Sequence, residues 1–279
     1  MIDSPKSHGR LSIKATTKPR ELVQSHPDLR GIWKAKVITL FPEMFPGGLG
    51  YSLVGKALQE NLWSLETINL RDFGEGKHRN VDDTPAGGGA GMILRADIIG
   101  QAIKEALTAE FKKNPIIYLS ARGKPFNQKM AERFSKADGI TLLCGRFEGV
   151  DQRVIDFYDI EEVSIGDFVL TGGEIPAQII IDGTVRLLPN VIGNKVSLDE
   201  ESFANGLLEH PQYTRPKNWN NLVIPEVLSS GNHKKIDEWR LEQSEKLTKS
   251  CRPDLWEIYR MQKKYKTEKI FKSLNLNKK

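Results

Sequence analysis

Cysteine is scarce in this sequence, with Cys144 and Cys251 its only two. That supply excludes a disulfide framework and a cysteine-based zinc site. Long apolar runs are missing as well, and no stretch approaches the roughly 20 residues needed to span a bilayer. Met1 to Lys34 is polar and lacks the apolar core of a signal peptide, so no membrane partner is expected and the expected location is the cytoplasm. The glycine run Pro85-Ala-Gly-Gly-Gly-Ala-Gly-Met92 is not followed by Gly-Lys-Ser/Thr, which removes a phosphate-cradling P-loop from consideration.

What is present is ordinary in amount and uneven in placement. The 279 residues are 39% hydrophobic and 28% charged, as in globular proteins, and suffice for two domains. Net charge is +5, but residues 1–34 carry 7 Lys and Arg against 3 Asp and Glu, and residues 205–279 carry 16 against 9, so the intervening body is acidic. Basic ends suit a polyanion, because lysine and arginine gain by releasing phosphate counterions. A solvated lysine-rich helix and tail would have the same composition.

Residues 1–34 read as a flexible basic leader. From Lys36 the chain alternates between short β-like runs and amphipathic stretches. Strands are expected at Lys36–Leu40, Leu65–Leu70, 116–119, 140–144 and 160–163. Helices are expected at Leu53–Leu62, Ala96–Phe111, 126–134, 150–157 and 175–188. Such alternation implies an α/β domain over 35–192, a mostly parallel sheet with helices on both faces. Residues 193–204 lose hydrophobic period and read as an interdomain linker. Residues 205–279, with helices at Ile236–Leu247 and Leu255–Phe271 and Trp239, Leu255, Trp256 and Tyr259 as core anchors, are expected to form a small all-helical domain.

The chain's organising stretch is Ser164-Ile-Gly-Asp-Phe-Val-Leu-Thr-Gly-Gly-Glu-Ile-Pro176. Its glycines and proline forbid a regular helix or central strand, yet apolar runs flank it. Irregular backbone at depth must direct its N–H and C=O groups at something, either a ligand or its own turn. Two further apolar runs end in polar, glycine-bearing turns, Ser120-Ala-Arg-Gly123 and Gly145-Arg-Phe-Glu-Gly149. In open α/β sheets ligands bind beyond the carboxyl ends of the strands, so the three loops suggest one pocket.

Gly145–Gly149, Ser164–Pro176, the glycine run 85–92 and Tyr213-Thr-Arg-Pro216 occur in order from about Lys36 to beyond Trp239, and together the chain resembles the bacterial tRNA (guanine-N1-)-methyltransferases of the TrmD family. The resemblance implies a deep trefoil-knotted fold of the SPOUT superfamily and S-adenosylmethionine as methyl donor. It further implies methylation of guanosine N1 at position 37 of tRNA, and a homodimer with the active site at the subunit interface. A Mg2+ dependence is implied as well, without an assignable site.

Methylating guanine N1 requires a held donor, removal of the N1 proton, and stabilisation of charge on O6. The resemblance places the donor against Ser164, Ile165, Gly166, Asp167, Phe168, Val169 and Leu170, with Gly145, Gly172 and Gly173 close by and Tyr118, Leu119, Ser120 and Pro176 completing the wall. Glu148 is a donor-side candidate, or else a structural partner of Arg146 or Arg153. The glycine run is implied to close over the site, where composition alone also fits a disordered loop. Arg186 is the implied O6 stabiliser, its planar fork suiting the task, although an arginine there could equally cap a helix. The general base is implied to be a linker carboxylate, here Glu201 where the family has aspartate, with Asp199 as alternative. That departure keeps open a non-catalytic RNA-binding protein on the same fold. Arg122 is a second departure, adding charge where the family has Ser-Pro-Gln-Gly. For RNA, the candidates are Asp82, Arg215, His233, Lys234, Lys235 and Arg240.

Overall fold

The computed structural model describes residues 31–108, 111–192 and 201–276, with side chains up to residue 265. Met1 to Arg30 of the expected leader, residues 193–200 of the expected linker, and Asp199 within it lie outside the described residues.

Five parallel strands form the central sheet: β1 (Trp33–Thr39), β2 (Trp63–Asn69), β5 (Ile116–Pro125), β6 (Gly139–Leu143) and β7 (Glu161–Ser164), in the order β2-β1-β6-β5-β7. Strand side chains alternate between faces, and both faces here are apolar. Val37, Ile117, Leu119 and Leu142 enter one core, together with helices α1 (Ser52–Gln59), α3 (Gln128–Ser135) and α5 (Glu174–Val185). Their neighbours Ile38, Ile116, Tyr118 and Leu143 enter the other, with α2 (Ala96–Ala106) and α4 (Gln152–Phe157). The expected α/β layering is therefore present. Two-residue strands β3 (Asp82–Asp83) and β4 (Ile93–Leu94) pair antiparallel at the base of the glycine run.

Several expected bounds shift by a few residues, and three expectations are corrected. Helix α2 stops at Ala106 rather than Phe111, because Leu107 leaves helical backbone and the buried Lys36 ammonium takes the Ala106 carbonyl at 2.8 Å. A cation on a terminal carbonyl satisfies an otherwise unpaired acceptor. Strand β5 continues to Pro125, but its register with β7 breaks between Leu119 and Lys124, so Ser120–Gly123 bulges out of the ladder. The region after 205 is not all-helical: Asn218–Trp219 and Leu222–Val223 form a β-ribbon, β8 and β9. Its turn residues Asn220 and Asn221 both have positive φ, 50° and 65°, a conformation asparagine tolerates and a run of two residues is too short to announce. Helices α6 (His233–Cys251) and α7 (Pro253–Leu276) follow. Tyr259 and Lys263 of α7 both hydrogen-bond Glu245 of α6. Among the described residues no helix is long and apolar enough to cross a membrane.

Candidate active site

Beyond the carboxyl ends of β6 and β7, and beside the mid-strand bulge of β5, lies an open cleft of about 1580 Å³, walled by the bulge after Leu119, residues 145–154 and the loop 163–173. Every residue expected at the donor lines it except Asp167, which is exposed and outside the wall. Asp83, Thr84, Ala86, Ile93 and Leu94 also line it, so the glycine-run segment borders the cleft as the resemblance implied.

Loop 164–173 is held by a few bonds and leaves several donors free. Ser164 Oγ accepts from Gly166 N at 3.2 Å and donates to Gly166 O, and Phe168 N donates to Gly166 O. At the far end Gly173 N donates to Gly145 O at 3.0 Å. The N–H groups of Val169, Leu170, Thr171 and Gly172 make no hydrogen bond to another described residue. Phe168 and Val169 beside them are exposed at 54% and 88%. Unpaired backbone donors next to exposed apolar side chains suit a flat heteroaromatic ring with polar edges.

The glycines serve mainly the chain itself. A Cβ on Gly173 would lie 2.7 Å from Cys144 Cα, and one on Gly145 would lie 2.8 Å from the Tyr118 ring. Gly173 thus allows α5 to start against the end of β6, and Gly145 houses Tyr118, whose phenol pKa is raised by burial and by Glu162. Glu148 donates its backbone N–H to Met92 O at 3.0 Å and packs against Gly91, joining the glycine run to the 145–149 loop.

Neither alternative partner of Glu148 is used. Arg153 pairs with Asp151 at 2.6 Å, and Arg146 pairs with Glu174 at 2.8 Å. This second pair was not foreseen. Glu174 is 1% exposed, its other oxygen accepts from Thr39 Oγ1 at 2.7 Å, and the Arg146 guanidinium donates to Thr171 O and lies 4.3 Å from the centre of the Phe41 ring. One buried ion pair therefore joins the end of β1, the start of α5 and the cleft loop. The acidic Gly-Gly-Glu at a helix start was the only signal of it, and that signal does not name a partner. Arg122, the added charge, is committed to Gln152 and Glu162 at 3.2 and 3.1 Å on the cleft rim.

The two expected catalytic residues meet each other. Arg186 ends α5 through its backbone N–H to Asp182 O, and its guanidinium donates to Glu201 Oε1 at 2.7 Å, both side chains being about 30% exposed. The side-chain hydrogen bond that Arg186 donates to Glu201 holds the Arg186 pKa above its usual value. Neither residue lines the cleft. At 1.5 Å per residue, α5 separates this pair from the cleft wall at Gly173 by about 18 Å. Arg215, His233, Lys234 and Lys235 are exposed, and Asn232 caps α6 by accepting from Lys235 N. Arg240 is half-buried, 3.9 Å from Asp237, and Asp82 pairs with Leu94 in the β3–β4 ladder, outside the cleft wall. No group of three or more metal-ligating side chains occurs among the described residues.

Fold and cleft define the class: an α/β protein with an open ligand pocket where two parallel strands end and a third bulges. Comparison with known proteins narrows the class to a family. Residues 33–258 match the family described as tRNA (Guanine-1)-methyltransferase TrmD, and the chain belongs to it. Proteins named tRNA (guanine-N(1)-)-methyltransferase are similar to it over most of their length. The one from Ruegeria pomeroyi is 60% identical over 237 residues, 85% of this chain and 98% of the relative. Its counterpart from Cereibacter sphaeroides is 63% identical over 234 residues, covering 83% and 94%. A third, from Brucella ovis, is 53% identical over 229 residues, covering 82% and 93%.

Proposed function

We propose that this protein methylates N1 of guanosine 37 in tRNA, in the cytoplasm, using S-adenosylmethionine, with Glu201 as general base and Arg186 stabilising O6. Family membership supports the reaction, and the Arg186–Glu201 hydrogen bond is the observation that carries the roles. When bound, S-adenosylmethionine supplies an electrophilic methyl group. The unpaired N–H groups of 169–172 and the walls at Phe168 and Leu170 would hold its adenosyl part. Among the described residues, the Arg186 guanidinium hydrogen-bonds Glu201 Oε1 alone. A guanidinium has five donors, so the fork can hold the carboxylate and still present N–H groups to O6. Glu201 Oε2 keeps its lone pairs to accept the N1 proton.

The separation of the pair from the cleft supports a homodimer in which the Arg186–Glu201 pair of one copy completes the cleft of another. Ile175 and Ile179, one turn apart on α5 and about half exposed, offer apolar surface for that contact. A knotted domain over 35–192, a linker over 193–204 and a tRNA-binding region over 205–279 complete the reading. Its support for the knot is that α5, which follows edge strand β7, returns to residues 44–48, where Gln178 bonds Met44 O and Gly48 N.

The test is transfer from labelled S-adenosylmethionine to unmodified tRNA carrying guanosine or adenosine at position 37. Label is expected only on the guanosine form, and Glu201→Gln should slow single-turnover transfer by about two to four orders of magnitude. No transfer by the wild type at high enzyme would overturn the reading in favour of a non-catalytic RNA-binding protein.

A further inference from the structure

Residues 201–209 form a closed loop rather than an open tether. Ala204 N donates to Glu201 O at 3.2 Å, Gly206 N to Phe203 O at 3.3 Å, Phe203 N to Leu207 O at 2.8 Å, and Glu209 N to Ser202 Oγ at 3.0 Å. The backbone turns through left-handed conformations at Phe203 and Gly206, both with φ of 76°. A phenylalanine is held there only when its surroundings fix it. One end of this loop is Glu201, bonded to Arg186.

The other end is fixed to α6 by one hydroxyl. Leu207 is buried, and the next amide, Leu208 N, donates to Thr248 Oγ1 at 2.8 Å. Thr248 is fully buried, and its own hydroxyl proton goes to Ser244 O at 2.6 Å. A threonine bonded back one helical turn is common. Here that bond also aims the oxygen's remaining lone pairs at Leu208, so the hydroxyl works as an oriented acceptor. Valine would fill the same space without gripping the loop.

We propose that Thr248 is a positioning residue for methyl transfer: by pinning loop 201–209 to α6 it holds the Glu201 carboxylate on Arg186. This rests on Glu201 being the base. Helix α6 begins with exposed His233, Lys234 and Lys235, so a nucleic acid held there is joined to Glu201 through α6, the Thr248 hydrogen bond and loop 201–209.

Thr248→Val removes the hydroxyl and keeps the shape, and Thr248→Ser restores it. Thr248→Val is expected to slow single-turnover transfer by roughly 10- to 100-fold, the range for a catalytic group displaced by about 1 Å. Affinities for tRNA and S-adenosylmethionine should stay within about two-fold, well under the roughly five-fold change that 1 kcal/mol would bring, and Thr248→Ser should recover most of the rate. In a Glu201→Gln background the same change should cost little, since no base remains to be placed. A merely structural threonine would lower the rate equally in both backgrounds. That result, or a wild-type rate for Thr248→Val, overturns the proposal. Should Thr248→Val not fold, Ser202→Ala, which removes only the loop's internal brace, carries the same comparison. If Glu201→Gln itself transfers at the wild-type rate, the base assignment has failed; if it is slow while Thr248→Val is not, only this inference has.

Discussion

Adding a single methyl group at Gly173 tests how the cleft is built. The residue has φ −83° and ψ −8°, backbone that alanine adopts freely, so Gly173→Ala introduces no dihedral strain. The obstacle is space: the new Cβ would sit 2.7 Å from Cys144 Cα, 3.0 Å from Gly145 N and 3.1 Å from Cys144 Cβ. Carbon atoms prefer about 3.5–4.0 Å, and two of these three neighbours are backbone at the end of a buried strand. Helix α5 must therefore withdraw by several tenths of an ångström or more. Overpacking of this kind costs about 1–3 kcal/mol, and stretching the Gly173 N to Gly145 O bond adds about 1 kcal/mol. A total of about 2–4 kcal/mol should lower the melting temperature by roughly 4–16 °C for a chain of this size. The control is Gly88→Ala, where φ is 83° and no atom lies within 4 Å, so only a left-handed backbone penalty of about 1–2 kcal/mol applies. Thermal and urea unfolding, with calorimetric titration of S-adenosylmethionine, would measure both variants. A wild-type midpoint for Gly173→Ala, or a larger loss at Gly88, would refute the packing argument.

The Arg146–Glu174 pair should respond asymmetrically, because Glu174 is 1% exposed and Arg146 18%. Arg146→Met strands a buried carboxylate and should cost about 3–5 kcal/mol. Glu174→Gln leaves a guanidinium that keeps Thr171 O and the Phe41 face, and should cost about 1–3 kcal/mol; urea titrations giving the reverse order would contradict this account. At the start of α4, the side-chain bond from Arg153 depresses the Asp151 pKa. A depressed carboxylate contributes stability above its unfolded pKa of about 3.9 and loses it as pH falls through the folded value. Asp151→Asn should thus be less stable near neutrality by no more than about 1 kcal/mol, with the gap narrowing below about pH 4; a gap that widens on acidification would count against it.

Strand and helix alternation was legible because period two and period 3.6 are local signals, and β1 shows the limit of that legibility. Its pattern Trp-Lys-Ala-Lys-Val-Ile-Thr places Lys36 at a position facing a core, a violation that sequence cannot excuse. Only the fold brings Ala106 O, the Phe111 ring and Glu66 to its ammonium. The cleft was legible from three apolar runs ending in glycine-bearing turns. The Thr39–Glu174–Arg146 network was not, since Thr39 and Glu174 lie 135 positions apart and each residue alone has an ordinary surface role. Arg186 and Glu201 came from the family pattern; that they meet is a fact of the tertiary structure. Short elements such as β8 and β9 carry too few residues for any periodicity to register.

The two cysteines bear a consequence of their own. Cys251 is exposed on α6, while Cys144 is 1% exposed beneath Gly173, and burial, with Glu174 nearby, pushes its thiol pKa well up. Thiol reagents act on the thiolate, so Cys144 is shielded both sterically and chemically. In a mixture with an alkylating agent, Cys251 would react at once and mark total protein. Cys144 would react only when β6 and α5 part. The chain thereby carries an internal clock for opening of the cleft floor, readable by mass in the unmodified protein.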